Sequence, residues 1–310
     1  MVLLQEAEVD MAKVLELAVL FPGPLAGRLL LEQGFEVVKV EPPGGDPMRQ
    51  ISPTLYKVLN EGKRVVHVDL KGDAEGVRRL AEEADAVLTT FRPSTAERYG
   101  VSYRRLAEAR PDLIYVAIVG YGGDEYPRDH PSHDINFAAL AGAVGPCPPY
   151  VQAVDVAAGL LAALTITAMA AKGARGYVEI PMSRAAALVN MLNLSLRRDG
   201  KPLVLSGDYP FYTVYRCRGG RVALGAVEPK FWERFCRAVG REDLIPRRLD
   251  PAAREEVEEV LAGMDCGALE ELAKREEIPL TPVYDIDRAL AIFPPEALLN
   301  GVKTRSERTR

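Results

Sequence analysis

The sequence predicts an open α/β domain, a mostly parallel Rossmann-like sheet with helices on both faces, followed by a smaller α+β domain. Three observations lead there. Between residues 13 and 120, short β-branched runs alternate with helical stretches, the pattern of parallel βαβ units whose helices cover both sheet faces. After Gly200 the texture changes, and FYTVYRCRGGRVALGAV alternates like a two-stranded hairpin about a Gly-Gly turn. A chain of 310 residues with 48% hydrophobic content is long enough for one large domain or two unequal ones. The expected division is residues 1–200 for the large domain, 206–290 for the small one, and 291–310 for a tail able to return to the large domain.

In chain order, VLELAVL is the first strand and PGPLAGRLLLEQG the first helix, whose apolar face runs from Leu25 to Leu31 and which Gly34 stops. EVVKVE is the next strand and ends in Glu41 before PPGGD turns the chain. Loops at such strand ends commonly form the ligand crevice. FPGPLAG stands where a dinucleotide-binding fold carries GxGxxG, so a standard dinucleotide site is not expected. VVHVDL, GVRRLAEEA, AVLTT and LIYVAIVG continue the alternation. Two helical segments follow, HDINFAALAG and DVAAGLLAALTITAMAAKG, joined by the turn PCPPY, then the strand GYVEI and the helix MSRAAALVNMLNLSLRR. In the small domain EPKFWERFCRAVG and residues 251–278 are helical, and PLTPVYDIDRAL closes the unit. The tail ends in alternating charge, a composition expected to be disordered.

Composition excludes several classes. A formal net charge of -5 argues against a general nucleic-acid surface, although a few local basic residues can still hold an anionic ligand. The longest apolar run, residues 156–171, falls short of the ~18 residues expected of a membrane span and predicts a buried helix. Cys147, Cys217, Cys236 and Cys266 are scattered, with no CxxC pair and no histidine placed to complete a zinc site, so reduced thiols, no metal and a cytoplasmic location are expected. The N-terminus carries acids where a secretory signal carries bases. Scarce Asn and Gln beside plentiful Arg and Glu are a bias of proteins from hot habitats.

Three residues stand where chemistry is possible, and each has a plainer explanation. His133 opens a helix beside an acid and is equally a solvent-facing or capping histidine. Asp155 lies at the start of the long apolar helix, where a carboxylate caps free N–H groups. Glu228 ends a strand just before Pro229 and fits helix-terminus electrostatics.

Read as phrases, these segments connect. HDINFAALAG, AVDVAAGLLAAL and FYTVYRCRGGRVALGAVEPKFW, in that order, resemble the α-methylacyl-CoA racemase group, the racemase branch of the family III CoA-transferases (CaiB/BaiF). VLELAVLFPGPLAGRLLLEQGFEVVKVEPPGGD, GKRVVHVDLK, and FRPSTAERYGV followed by LIYVAIVGYG resemble the same family's CoA-binding domain. The resemblance implies the family III fold and an acyl-CoA substrate, with CoA part of the substrate and no further cofactor. It implies His133 and Asp155 as the acid/base pair, with Glu228 supporting the histidine. It further implies CoA contacts from Val68, Asp69, Leu70 and Lys71, from Arg92, and from Ser132, Asp134, Asn136 and Phe137 beside the thioester. Arg92 is the best phosphate candidate, because a guanidinium binds phosphate oxygens bidentately.

The implied reaction interconverts (R)- and (S)-2-methylacyl-CoA. Two positioned groups remove the α-hydrogen from one face and replace it on the other, more simply than one swinging base. Unperturbed, histidine titrates near ~6.5 and aspartate near ~3.9, so the pair can exist as imidazolium and carboxylate. The enolate oxygen needs donors, and the main-chain N–H of Asp134 is favoured over its carboxylate. The rival activity is CoA transfer between carboxylic acids, with Asp155 as nucleophile; a CoA-binding protein without catalysis is a third reading. The resemblance also implies an interlocked homodimer in which Glu228 approaches His133 across the interface. Three departures stand out: Ser132 replaces the family's glycine, Pro42 replaces a basic residue beside Glu41, and the segment from His133 to Asp155 is short, as is the C-terminal tail.

Overall fold

The computed structural model describes residues 12–123, 125–145 and 151–298. Six β-branched runs form one parallel sheet: β1 Lys13–Leu17, β2 Glu36–Glu41, β3 Arg64–His67, β4 Ala86–Thr89, β5 Ile114–Val119 and β6 Gly176–Pro181. Their order is β3-β2-β1-β4-β5-β6, the doubly wound arrangement whose direction reverses between β1 and β4. Alternate side chains serve opposite faces. Val14, Val37, Leu88, Ile114, Val116 and Ile118 enter one core, while Leu15, Val38, Val87, Tyr115, Ala117 and Val119 enter the other.

The helices of this part are α1 Pro22–Glu32, α2 Met48–Ile51, α3 Pro53–Asn60, α4 Ala74–Glu82, α5 Pro93–Arg98, α6 Tyr103–Ala109, α7 Asp134–Leu140, α8 Ala153–Ala171 and α9 Met182–Val189. Their starts follow local chemistry. Ser52 Oγ accepts from Leu55 N at 3.2 Å ahead of Pro53, and Asp73 Oδ1 accepts from Gly76 N at 2.8 Å, each satisfying a donor that a first helical turn leaves open. Gly34 takes φ +91° past the end of α1, a conformation natural to glycine.

Two helical expectations need correction. The helix expected over residues 182–198 breaks into α9 and α10 Met191–Arg198. Asn190 sits at the break, and its amide donates to the Ala141 carbonyl at 2.9 Å instead of facing solvent from an unbroken helix. α8, at 19 residues, is long and apolar enough to span a membrane by length and composition, and it is one-sided where a buried helix was expected. Val154, Ala158, Gly159, Ala162, Ala163 and Ile166 face the core, whereas Val156, Leu160 and Leu164 are exposed.

The chain divides into two compact units, and the second holds residues 192–294. The boundary lies at the start of α10, earlier than the change of texture near Ser206, because α9 packs on α7 and α8 whereas α10 buries no residue. In this unit β7 Tyr212–Cys217 and β8 Gly220–Gly225 pair antiparallel about Gly219 at φ +95°. α11 Pro229–Ala238, a 3-10 turn Glu242–Arg247, α12 Ala253–Ala262 and α13 Cys266–Glu276 follow. β9 Leu280–Pro282 then joins β8, and α14 Ile286–Ile292 ends the unit. Trp232, Phe235, Phe211 and Tyr215 fill its core, and the Trp232 indole donates to the Leu244 carbonyl at 3.1 Å. α15 Pro295–Leu298 belongs to the first unit and lies against α3.

The expectation of reduced thiols fails for one pair. Cys217 and Cys266 form a disulfide with Cα atoms 5.4 Å apart, because the bridge between Arg218 and Asp265 lays the end of β7 beside the start of α13. A separation of 49 residues gave no sequence signal of this. Cys236 is a free thiol, pushed up to about 12 by burial. Cys147, the PCPPY turn and the last residues of the tail lie outside the described residues.

Candidate active site

A parallel sheet sends the loops after all its strands to one edge. At that edge a charge network missed by the sequence reading fixes the β1–α1 turn. Glu16 on β1 and Lys39 on β2 are fully buried, with Asp46 and Lys63 nearly so. Lys39 Nζ donates to Glu16 Oε1 at 2.9 Å and the Ala18 carbonyl at 2.7 Å, and pairs with Asp46 at 3.0 Å. Lys63 Nζ donates to Glu16 Oε2 at 2.7 Å, the Pro24 carbonyl at 2.8 Å and Asn60 Oδ1 at 3.1 Å. Burial lowers Lys63 to about 8. Asp46 Oδ1 also accepts from Leu20 N at 3.1 Å, holding Leu20 at φ +70°. A leucine there is strained and persists only where its surroundings enforce it. The signal available in sequence was an unpaired-looking Glu and Lys inside two apolar strands.

The acid/base candidates of the first unit come together at the starts of α7 and α8. His133 is the residue ahead of α7, and its main-chain N–H donates to Asn136 Oδ1 at 3.0 Å. Asp134 is 8% exposed, and its Oδ1 accepts from the N–H groups of both Val154 and Asp155 at 2.8 Å. The carboxylate that opens one helix therefore caps the next, which brings the two helix starts together and puts Asp155 within range of the His133 charge. The Asp155 carboxyl, half-buried in the first turn of α8, is pushed up to about 6, chiefly by burial and next by the Asp134 carboxylate, with the His133 charge opposing. Among the described residues the Asp155 side chain makes no capping bond; Asp134 does that work, so the plain capping explanation passes from one residue to the other.

The remaining candidates separate. Phe137 is 2% exposed and packs in the core, so it offers little contact surface, whereas Asn136 is exposed and accepts from His133 N through its side-chain oxygen. Ser132 Oγ donates to the Pro131 carbonyl at 2.7 Å and lies 2.6 Å from the Tyr121 hydroxyl. After β3, Val68 and Leu70 pack against the core and Asp69 Oδ1 accepts from Lys71 N at 3.0 Å in a local turn, which leaves Lys71 exposed. Arg92 is exposed between β4 and α5, with no ion pair among the described residues, a guanidinium open to an anion. Glu41, beside Pro42, is buried and accepts from Tyr56 Oη at 2.7 Å and Arg49 Nε at 3.1 Å. Arg49 thus brings a cation to the end of β2 where Pro42 does not. Glu228 belongs to the other unit, where it is exposed ahead of α11 without a side-chain capping bond. Among the described residues no group of His, Cys, Asp and Glu is arranged to hold a metal.

A doubly wound α/β sheet with an imidazole and a perturbed carboxylate at its carboxyl edge defines a Rossmann-type protein equipped for proton transfer or carboxylate chemistry. The family described as CoA-transferase family III matches residues 10–298, and the chain belongs to that family. It is 32% identical over 274 residues to the probable fatty acyl-CoA transferase Rv3272 of Mycobacterium tuberculosis, covering 76% of this chain and 70% of that one. It is 29% identical to the succinyl-CoA:mesaconate CoA-transferase of Haloarcula hispanica over 89% of this chain and 80% of the other. With the alpha-methylacyl-CoA racemase of Mus musculus it shares 28% identity over 90% and 78%. The crystal structure of Rv3272 superposes with a TM-score of 0.78 at 28% identity, covering 94% of this chain and 86% of that one. Members of this family act on CoA thioesters, by CoA transfer or by racemisation.

Proposed function

We propose that this protein interconverts (R)- and (S)-2-methylacyl-CoA thioesters by proton transfer between two groups, His133 and Asp155. The observation that supports the proposal is the Asp134 cap, which joins the helix starts that carry His133 and Asp155, the latter a carboxyl raised to about 6. An acid/base group works best when its pKa lies near the operating pH. One group takes the α-proton, the electron pair moves onto the thioester oxygen, and the other group returns a proton to the opposite face. The first-turn N–H of Asp134 has no intrahelical acceptor and is assigned to the enolate oxygen. The proposal draws on no cofactor, since CoA arrives with the substrate, and gives the phosphates to Arg92.

It also includes a homodimer, supported by the exposed apolar stripe of Val156, Leu160 and Leu164 on α8; the role of Glu228 stays with that assembly. A cytoplasmic location is part of the proposal and is in tension with the Cys217–Cys266 bridge, since cytosolic disulfides are rare outside hyperthermophiles.

The second reading is CoA transfer with Asp155 as nucleophile, favoured by relatives named as CoA-transferases. NMR detection of deuterium at the α-carbon of a 2-methylacyl-CoA in heavy water separates the two. Exchange with inversion, lost in both His133→Ala and Asp155→Asn, is the expected result. Transfer of CoA from the acyl-CoA to a free acid that needs Asp155 but not His133, with no exchange, would replace racemisation by CoA transfer.

A further inference from the structure

We propose that Ser132 and Tyr121 form a positioning pair that fixes His133 in place, an inference that rests on the racemase reading. Tyr121 follows β5 and is 2% exposed. Its ring stacks on Tyr126 at 4.9 Å between centroids and leans on Phe137 at 5.2 Å. Its hydroxyl lies 2.6 Å from Ser132 Oγ, which lies 2.7 Å from the Pro131 carbonyl. Serine has one hydroxyl proton. With that proton given to Pro131, the Tyr121 O–H donates to Ser132, and both bonds run in one direction from the core to the Pro131–Ser132 peptide just ahead of His133.

On its other side His133 is held by Asn136 and by the Asp134 cap on α8. The residue that carries His133 is therefore tethered at both ends. A glycine at position 132 would remove the hydroxyl and leave the buried Tyr121 O–H without this partner, an arrangement buried polar groups avoid. Ser132 is thereby a placement residue. Its hydroxyl has no donor left for CoA.

A displacement of about 1 Å in a reacting group can cost roughly a hundredfold in rate. Ser132→Gly and Tyr121→Phe are each expected to lower kcat for α-deuterium exchange by roughly ten- to a hundredfold at unchanged KM. The double variant should be no worse than either single one, the signature of coupled residues, and Ser132→Thr should recover most of the rate. The acid limb of the exchange profile should move to higher pH, because a displaced His133 no longer holds the neighbouring carboxylate down; lost packing alone leaves that limb in place.

A readout independent of catalysis is the 1H–15N spectrum of histidine-labelled protein, with the His133 signals identified by their loss in His133→Gln. Those signals should shift in the Gly and Phe variants and revert in Ser132→Thr. Folded variants with wild-type kcat, acid limb and His133 signals would overturn the inference. A wild type that shows no exchange refutes the racemase reading instead, and the imidazole spectra then still decide the placement.

Discussion

At Asp155 the proposed chemistry and the stability of the fold pull in opposite directions. Its carboxyl is raised from 3.8 to about 6 by burial and by Asp134. A carboxyl raised in the folded state favours folding below its unfolded value, and that contribution is lost as pH rises through the folded one. Ionised Asp155 therefore costs stability at pH 7 while serving as the base. Asp155→Asn is expected to raise the melting temperature at pH 7 relative to wild type, and to lose that advantage below about pH 4, where wild-type Asp155 is protonated in both states. Thermal melts of the two proteins across pH 4 to 8 check this; a lower melting temperature at pH 7 would mean that the carboxylate is held by stabilising contacts. Asp134 and Ser132 sit next to His133 in the sequence, yet their hydrogen bonds run to partners up to 21 residues away, which spacing cannot reveal.

At the scale of elements, the candidate site depends on how closely α8 approaches α1. A Cβ built on Gly159 would lie 2.8 Å from the Pro22 carbonyl and 3.2 Å from Leu25. Those contacts fall where α1 begins, one turn along α8 from Asp155. Backbone cannot yield as a side chain can, so Gly159→Ala is expected to destabilise the protein by about 1–3 kcal/mol, read as a lower urea midpoint. Exchange activity should fall as well, since α8 must shift with Asp155. Unchanged stability would show that the two helices have slack. The elements themselves were legible: β-branched runs gave the six parallel strands and the Gly-Gly turn gave the β7–β8 hairpin. The break at Asn190 was not, because a polar residue in a helical pattern reads as a surface position until its partner, the Ala141 carbonyl, is in view.

For the whole molecule, two features carry predictions. The disulfide closes a loop of 49 residues within the second unit, which in chain-entropy terms corresponds to roughly 4 kcal/mol. Reduction, or Cys217→Ser, is expected to lower the melting temperature of that unit. Alkylation of the denatured, unreduced protein should add two groups against four after reduction, given the four cysteines of the chain; four in both samples would refute the bridge. The exposed stripe on α8 bears on assembly: Leu160→Glu with Leu164→Glu is expected to shift the sedimentation coefficient from dimer to monomer. An unchanged value would remove this face from the interface.

The sequence by itself determined the doubly wound class, the hairpin of the second unit, the family and the residue types available for acid/base chemistry, because these follow from local periodicity and from phrases in a fixed order. Only the tertiary structure decided which of those residues meet. It turned Asp134 inward to cap α8, sank Phe137 into the core, joined Cys217 to Cys266 and buried Glu16, Lys39, Asp46 and Lys63 as one network. For the Asp134 cap and the charge network the physical reason is the same. A buried charge or hydrogen-bonding group is tolerated only with its partner, and in this fold the partners come from other strands and helices, at separations that no local pattern records.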